Sequence, residues 1–261
     1  MRECLLDPKQ WIYVICVFCV SLVSGGISAF GPLIIRGFGL DPFQSILYNM
    51  IPGGIHIVTN IIAAYVVTIT KRKMPVLLGV TCFPLAAAAA LYALPRGDEY
   101  RSQLLAVYFI LQIFQPVTPV LFSWTFANTA GHTKKTVTTG MLFVGLCVGN
   151  IVGPQLYLSN EAPRYQTGLI GNLIVLSILF GLIIVQTLYL SLLNRRNAKR
   201  RKAMGKTGPN VDYSLESSSK WASMKAQQKH NEQEGGAQEE HNAAAFEDLT
   251  DLQNVDFIYS L

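Results

Sequence analysis

Six long apolar stretches alternate with short polar segments between residues 11 and 193. They lie at about 11–35, 44–70, 74–94, 104–126, 136–158 and 169–193, and none of them contains Asp, Glu, Lys or Arg. Each is close to the ~20 apolar residues that an α-helix needs to cross a bilayer. Barrel strands are much shorter, and no other backbone satisfies its hydrogen bonds in lipid. The pattern predicts an all-α membrane protein with six transmembrane helices, which we call spans one to six.

Composition agrees with a membrane protein. Of the 261 residues 51% are hydrophobic and only 14% are charged, whereas soluble domains average about 25% charged residues. The net charge of +5 does not indicate nucleic-acid binding, because the basic residues lie in loops between apolar stretches and just after the last one. The sequence contains no nucleophile motif, phosphate-binding loop, cofactor motif or metal-ligand spacing. We therefore expect a protein that is not an enzyme and that needs no cofactor or metal.

The polar segments divide the chain into three parts. Residues 1–10 form a lead-in, 11–193 the six-helix bundle, and 194–261 a tail. The tail begins with a basic cluster at 194–202, which we interpret as a membrane-surface anchor. Residues 207–245 are too polar to form a core, so we expect disorder there. Residues 243–252 are a candidate short helix, and Phe257 to Tyr259 are candidates to dock on the bundle.

Lysine and arginine predict the orientation. Fourteen basic residues lie on the side of the termini and four on the other side, so the rule that cytosolic loops are richer in basic residues puts both termini in the cytosol. The fourteen are Arg2, Lys9, Lys71, Arg72, Lys73, Lys134, Lys135, Arg195, Arg196, Lys199, Arg200, Arg201, Lys202 and Lys206. The four are Arg36, Arg96, Arg101 and Arg164.

The few polar residues inside the spans are the candidate substrate contacts, because a polar side chain in hydrocarbon must point inward. Asn49 and His56 belong to one stripe on span two, and Gln112 and Gln115 to another on span four. The other two candidates are Trp124, which could stack on a flat ligand, and Asn150. The alternative is that these side chains only form hydrogen bonds between helices, worth about 0.6 kcal/mol each.

A glycine stripe marks span five. Gly145, Gly149 and Gly153 recur every fourth residue and are followed by Pro154. Residues four apart lie on one face of a helix, and in membranes such faces let two backbones approach closely. We expect a structural role for these four residues.

Several longer motifs resemble the fungal allantoate permease family, the anion:cation symporters of the major facilitator superfamily. They are Leu5 to Lys9, Gly25 to Ser28, Phe30 to Ile35, Asn128 to Lys135, Cys147 to Gln155, Ala162 to Tyr165, and Asp248 to Asp251. The family often has Arg between the final Phe and Tyr, where this chain has Ile258. The similarity covers nearly the whole chain apart from 207–245, but it corresponds to the second half of a family member.

The resemblance implies one half of a major-facilitator transporter, built from two inverted three-helix repeats. In that view the glycines and prolines of spans one, two, four and five interrupt their helices near a binding region. The implied function is proton-coupled uptake of small organic anions, such as allantoate or vitamin-like carboxylates, by alternating access in the plasma membrane. The alternative is a truncated or non-transporting six-helix protein. Expected partners are membrane lipid and either a second copy or a separate N-terminal half.

Overall fold

The computed structural model describes residues 2–95, 97–162, 164–204 and 249–261. Several sequence predictions therefore lie outside the described residues: the disorder of 207–245, the positions of Arg96 and Lys206, and most of the candidate helix at 243–252. The described part of that candidate helix, residues 249–252, is not helical: residues 249 and 250 have no regular structure, and residues 251–253 form a turn.

The described residues are α-helical with short 3-10 segments, and they contain no strand. The α-helices are α1 (Arg2–Leu6), α2 (Pro8–Arg36), α3 (Pro42–Tyr48), α4 (Ile51–Thr70), α5 (Met74–Ala93), α6 (Arg101–Leu111), α7 (Val117–Ala127), α8 (His132–Val152) and α9 (Gln166–Ala203). Within this part of the chain six helical segments are long and apolar enough to cross a membrane: Pro8–Arg36, Pro42–Thr70, Met74–Ala93, Arg101–Ala127, His132–Leu156 and Gln166–Ala203. The all-α, six-span fold is confirmed and is consistent with a major-facilitator half.

Local sequence explains where the first and last spans begin and end. Asp7 caps α2, since its Oδ1 accepts a hydrogen bond of 3.1 Å from the backbone N–H of Lys9. Pro8 occupies the first helical position, where its missing N–H costs nothing. Span one therefore starts three residues before the predicted boundary and includes Lys9. The last span continues to Ala203, where basic side chains in its final turn complement the helix dipole.

The helices break at some of the predicted places. Span two is divided between α3 and α4 at Asn49 and Met50, and span four contains the 3-10 segment Gln112–Phe114 ahead of Pro116. The prediction that span one is interrupted is wrong, because α2 continues through its glycines and Pro32. Pro32 lies in the last two turns of α2, and the helix tolerates the loss of the one backbone hydrogen bond that a proline removes.

Span one is the centre of the bundle. α2 packs along α8 and also contacts α7 and α9, while α5 packs against α6 and α9. The glycines of α8 make the central contact possible. A Cβ added to Gly145 would lie 3.0 Å from the carbonyl oxygen of Val14, and one added to Gly149 would lie 2.7 Å from that of Phe18. Span two, in contrast, is little buried, since most of the side chains of α4 are exposed.

Candidate functional site

Four spans line an open polar cavity with a volume of about 310 Å³. Spans one, two, four and five each contribute to its wall. The lining residues are Ser21, Ser24, Asn60, Gln115, Thr118, Pro119, Leu146 and Asn150. The wall is thus made mainly of hydroxyl and amide groups, within helices that are otherwise apolar. Polar groups that converge from several helices can fix the orientation of a small molecule.

Two of the predicted contact residues, Gln115 and Asn150, line this cavity. The amide of Asn150 donates a hydrogen bond of 2.9 Å to the carbonyl oxygen of Leu146 one turn earlier, which fixes its orientation. Asn60 donates in the same way to the carbonyl oxygen of His56, at 2.7 Å. Within the described part of the chain, the side-chain oxygens of Asn60 and Asn150 accept no hydrogen bond. They can therefore accept one from a ligand.

His56 and Gln112 meet next to the cavity. His56 Nε2 lies 3.3 Å from Gln112 Oε1, which joins spans two and four. Each partner is about one helical turn from a lining residue, because His56 precedes Asn60 by four positions and Gln112 precedes Gln115 by three. The pair can act as a hydrogen-bonded support for the cavity wall.

Asn49 and Trp124 lie away from the cavity. Asn49 Oδ1 accepts a hydrogen bond of 3.2 Å from the hydroxyl of Tyr108. Trp124 is fully buried, its ring meets that of Tyr13 edge-on at 5.4 Å, and its indole N–H donates 2.9 Å to the carbonyl oxygen of Ser260. The structure therefore does not bring these two side chains together with Gln115 and Asn150.

The lining residues define what the cavity can bind. None of them carries a formal charge, so the site offers hydrogen bonds from neutral groups and no ion pair. Among the described residues no group of three or more His, Cys, Asp and Glu side chains could hold a metal ion. The arrangement suits a small polar molecule held by several hydrogen bonds.

A second polar site lies at one end of the bundle, where four buried charges meet. Asp251 forms ion pairs with Lys9 and, at 2.9 Å, with Lys134. Asp7 forms ion pairs with the same two lysines, at 3.6 Å and 2.9 Å. We call Asp7, Lys9, Lys134 and Asp251 the charge cluster.

The electrostatics of the charge cluster follow from burial and pairing. Burial alone would raise the pKa of Asp251, but the neighbouring ammonium groups of Lys9 and Lys134 and their hydrogen bonds hold that pKa below its ordinary value. Asp251 is therefore ionised in the charge cluster. The hydroxyl of Tyr259 lies 3.1 Å from Asp251 Oδ2, and both burial and this carboxylate raise the pKa of the phenol. Tyr259 is thus a neutral hydrogen-bond donor to the cluster.

Reasoning from the sequence missed the charge cluster, because it assigned these residues separately to the lead-in, to one loop and to the tail. A signal was present, however. Three of the motifs that carry the family resemblance supply the four charges, namely Leu5 to Lys9, Asn128 to Lys135, and Asp248 to Asp251. Charged residues in separate polar motifs, on the same predicted side of the membrane, are candidates for mutual contact.

Comparison with known proteins identifies the class of homologue. The MFS-type transporter cnsL of Penicillium expansum is 31% identical over 202 residues, which cover 77% of this chain and 42% of that protein. The allantoate permease of Saccharomyces cerevisiae is 24% identical, with 99% of this chain and 43% of the permease covered. The high affinity cysteine transporter of the same yeast is 26% identical, with 100% and 48% covered. No family model and no solved structure matches the chain.

The chain spans less than half the length of each of these relatives. Their names agree in describing transmembrane carriers, and the described fold supplies the six helices that such a carrier half contains. The homologues of this chain are therefore transporters of the major facilitator superfamily, and its six-span fold is consistent with half of such a transporter.

Proposed function

We propose that this chain forms one half of a transporter for small organic anions and that the substrate contacts the polar cavity. The observation that carries the proposal is the wall itself. Gln115, Asn150 and Asn60 come from three different spans and face one cavity inside an apolar bundle. Residues from several helices are needed to orient a small ligand, and neutral amides can bind a carboxylate without the cost of burying a second charge.

The substrate class draws on the named relatives. One is named for allantoate and another for cysteine, and both molecules contain a carboxylate and groups that form hydrogen bonds. We therefore propose a carboxylate-containing metabolite as the substrate. Because the cavity wall is neutral, we expect the compensating cation to come from a second bundle. The exposed apolar side chains of α4, including Ile57, Ile61 and Tyr65, support a role for span two in contacting that bundle.

The mechanism that follows is alternating access with proton coupling in the plasma membrane. The two bundles rock against each other around a site near the middle of the membrane, so the cavity opens to one side at a time. His56 is the proposed proton carrier. Protonation would change its hydrogen bond with Gln112, and the two helices that meet at this bond both contribute to the cavity wall.

The test is uptake into liposomes with an imposed proton gradient. The purified chain is reconstituted alone, and also together with the remaining part of the yeast allantoate permease. We expect gradient-driven accumulation of allantoate or a related carboxylate only in the second preparation. In that preparation Gln115→Leu should lower uptake roughly tenfold, because one hydrogen bond to a buried ligand is lost.

Gln155→Leu is the matched control. Gln155 belongs to span five, is exposed, and does not line the cavity, so uptake should be unchanged. Co-purification of the two parts without any gradient-driven uptake of the carboxylates tested would overturn the proposed function. Uptake by this chain alone would instead show that it needs no second type of bundle.

A further inference from the structure

The last thirteen residues, Leu249–Leu261, form a segment that crosses one end of the bundle. We call this segment the strap. It contains turns but no helix or strand, and its first anchor is Asp251. The carboxylate of Asp251 is fully buried between Lys9 of span one and Lys134 of span five. Asn128 is close by, since its carbonyl oxygen accepts a hydrogen bond of 2.8 Å from Lys9 Nζ.

A second anchor holds the final residues of the strap through their backbone. The carbonyl oxygen of Ser260 accepts hydrogen bonds of 2.9 Å from Trp124 Nε1 and 3.0 Å from Asn128 Nδ2. The backbone oxygen of Leu261 accepts one of 3.0 Å from the backbone N–H of Lys73, at the start of span three. Span four and span three are thus joined to the strap within two consecutive residues.

A third anchor lies on span six. The side chain of Asn194 forms two hydrogen bonds of 2.8 Å with the backbone of Tyr259, one to its carbonyl oxygen and one from its N–H. One turn further along the helix, Asn197 Nδ2 donates 3.0 Å to the carbonyl oxygen of Phe257. Arg201 adds an ion pair of 2.8 Å with Asp256.

These anchors have the character of peptide recognition. The bundle contacts backbone groups of the strap in sequence, and it fixes the register with one buried carboxylate and one buried aromatic ring, those of Asp251 and Tyr259. Paired amide hydrogen bonds to an extended backbone provide affinity, and pockets for selected side chains provide specificity. Lys9 also lies 4.7 Å from the centre of the Tyr259 ring, at cation–π distance.

We propose that the strap is a tethered peptide ligand and acts as a latch on this end of the bundle. Docking ties together the ends of spans one, three, four, five and six, and undocking lets those ends move apart. Between the end of α9 at Ala203 and the strap lie 45 residues, 204–248. Tethering makes docking intramolecular, so a modest intrinsic affinity is enough to keep the latch closed. This inference concerns the end of the bundle and does not depend on what the cavity binds.

The experiment uses the complete chain with a protease recognition sequence inserted between Gly235 and Gly236. The folded protein is purified in detergent and cut, and size exclusion then separates bound from released strap. We expect the strap to remain with the bundle and to be displaced by an excess of synthetic peptide 249–261. A peptide with Asp251→Asn should displace it roughly 30-fold less effectively or worse, because it leaves two buried ammonium groups with one carboxylate fewer.

A peptide with Gln253→Ala is the control. Gln253 belongs to the same segment but is exposed, and its side chain accepts a hydrogen bond of 3.2 Å from the backbone N–H of Thr250 within the strap. Its potency should stay within about fivefold of the unchanged peptide. Loss of the strap as soon as the chain is cut, or equal potency of the two variant peptides, would overturn the proposal.

A second measurement covers the case in which the cut bundle aggregates. In the uncut chain Trp11→Phe and Trp221→Phe leave Trp124 as the remaining tryptophan, and its indole contacts Ser260. Quenching of its fluorescence by acrylamide reports undocking. We expect Asp251→Asn to increase quenching at least twofold and Gln253→Ala to leave it unchanged. Equal protection of Trp124 in all three proteins would contradict a latch held by Asp251.

Discussion

Gly153 and Leu22 bring spans five and one into backbone contact. A Cβ added to Gly153 would lie 2.3 Å from the carbonyl oxygen of Leu22, closer than any side chain can approach. The contact is reciprocal, because a Cβ added to Gly25 of span one would lie 2.8 Å from the Cα of Asn150. This approach positions Asn150 at the cavity, so the packing of the two helices and the geometry of the site depend on each other.

Gly149→Leu should therefore destabilise the protein. The new side chain would start 2.7 Å from both the Phe18 carbonyl oxygen and the Ser21 Cβ, and overpacking of this kind costs about 1–3 kcal/mol or more. Gly140→Leu is the matched control on the same helix, since a Cβ there meets nothing within 4 Å. Thermal unfolding in detergent measures the difference. Equal midpoints for the two variants would contradict the close contact of spans one and five.

The sequence predicted the helices well because hydrophobic length is a strong signal in membranes. The apolar stretches locate all six spans, and the glycine spacing of Gly145, Gly149 and Gly153 identifies the face of span five that meets span one. Helix interruptions were less predictable. Gly25 and Gly26 suggested a break, yet they serve close packing in a continuous helix. The presence of a glycine in the sequence does not show whether it breaks a helix or allows close packing of a continuous one.

The candidate site was predicted in part. The search for polar residues within spans identified Gln115 and Asn150, although Asn150 is exposed and does not face the interior. The sequence could not separate these two residues from Asn49 and Trp124. The separation depends on helix rotation and on contacts with the strap. Lys134 and Lys135 show the limit most clearly, because the two neighbours look alike in sequence. Lys134 is 3% exposed and Lys135 is exposed.

That difference gives a sharp test by substitution. Lys134→Met should destabilise the protein by about 3–5 kcal/mol, because it leaves the carboxylates of Asp7 and Asp251 buried with one cation fewer. Lys135→Met, the same change one position later, should stay within about 0.5 kcal/mol of the unchanged protein. Chemical unfolding in detergent provides both values. A large effect of Lys135→Met, or none of Lys134→Met, would contradict the buried charge cluster.

The asymmetry of basic residues predicts that both termini face the cytosol. The test is protease added outside sealed, right-side-out vesicles that contain the chain with a C-terminal epitope. The epitope should survive, and it should be digested once detergent opens the vesicles. A matched preparation of inside-out vesicles should lose the epitope without detergent. Digestion in the intact right-side-out vesicles would show the opposite orientation.

His56→Ala should change how uptake by the two-part transporter depends on the proton gradient. The substitution removes the imidazole and its contact with Gln112, so substrate could still exchange across the membrane but would no longer accumulate against its gradient. His56→Gln is the comparison, because it keeps a hydrogen-bonding side chain that cannot change charge. Loss of accumulation with both variants is the expected result. Accumulation that persists in His56→Gln would assign His56 to packing alone.

Acid should open the latch through Asp251. Its pKa is lower in the docked strap than in a free one, because Lys9 and Lys134 stabilise the carboxylate. The other titratable groups nearby are Asp7, the neutral phenol of Tyr259 and Glu3, which pairs with Lys134. A lowered pKa contributes stability that is fully present above the ordinary value of 3.8. That contribution disappears as pH falls from this value through the lowered one.

Quenching of Trp124 should therefore be constant above pH 5 and should rise in this acidic window as the strap undocks. In Asp251→Asn this acid-dependent rise should be absent, because the amide does not titrate, and quenching should already be high at neutral pH. Gln253→Ala, at an exposed position of the strap, should follow the curve of the unchanged protein. Circular dichroism in parallel separates release of the strap from unfolding of the helices, which should retain their signal. An identical acid transition in Asp251→Asn would assign the release to another group and would remove Asp251 as the residue that holds the strap.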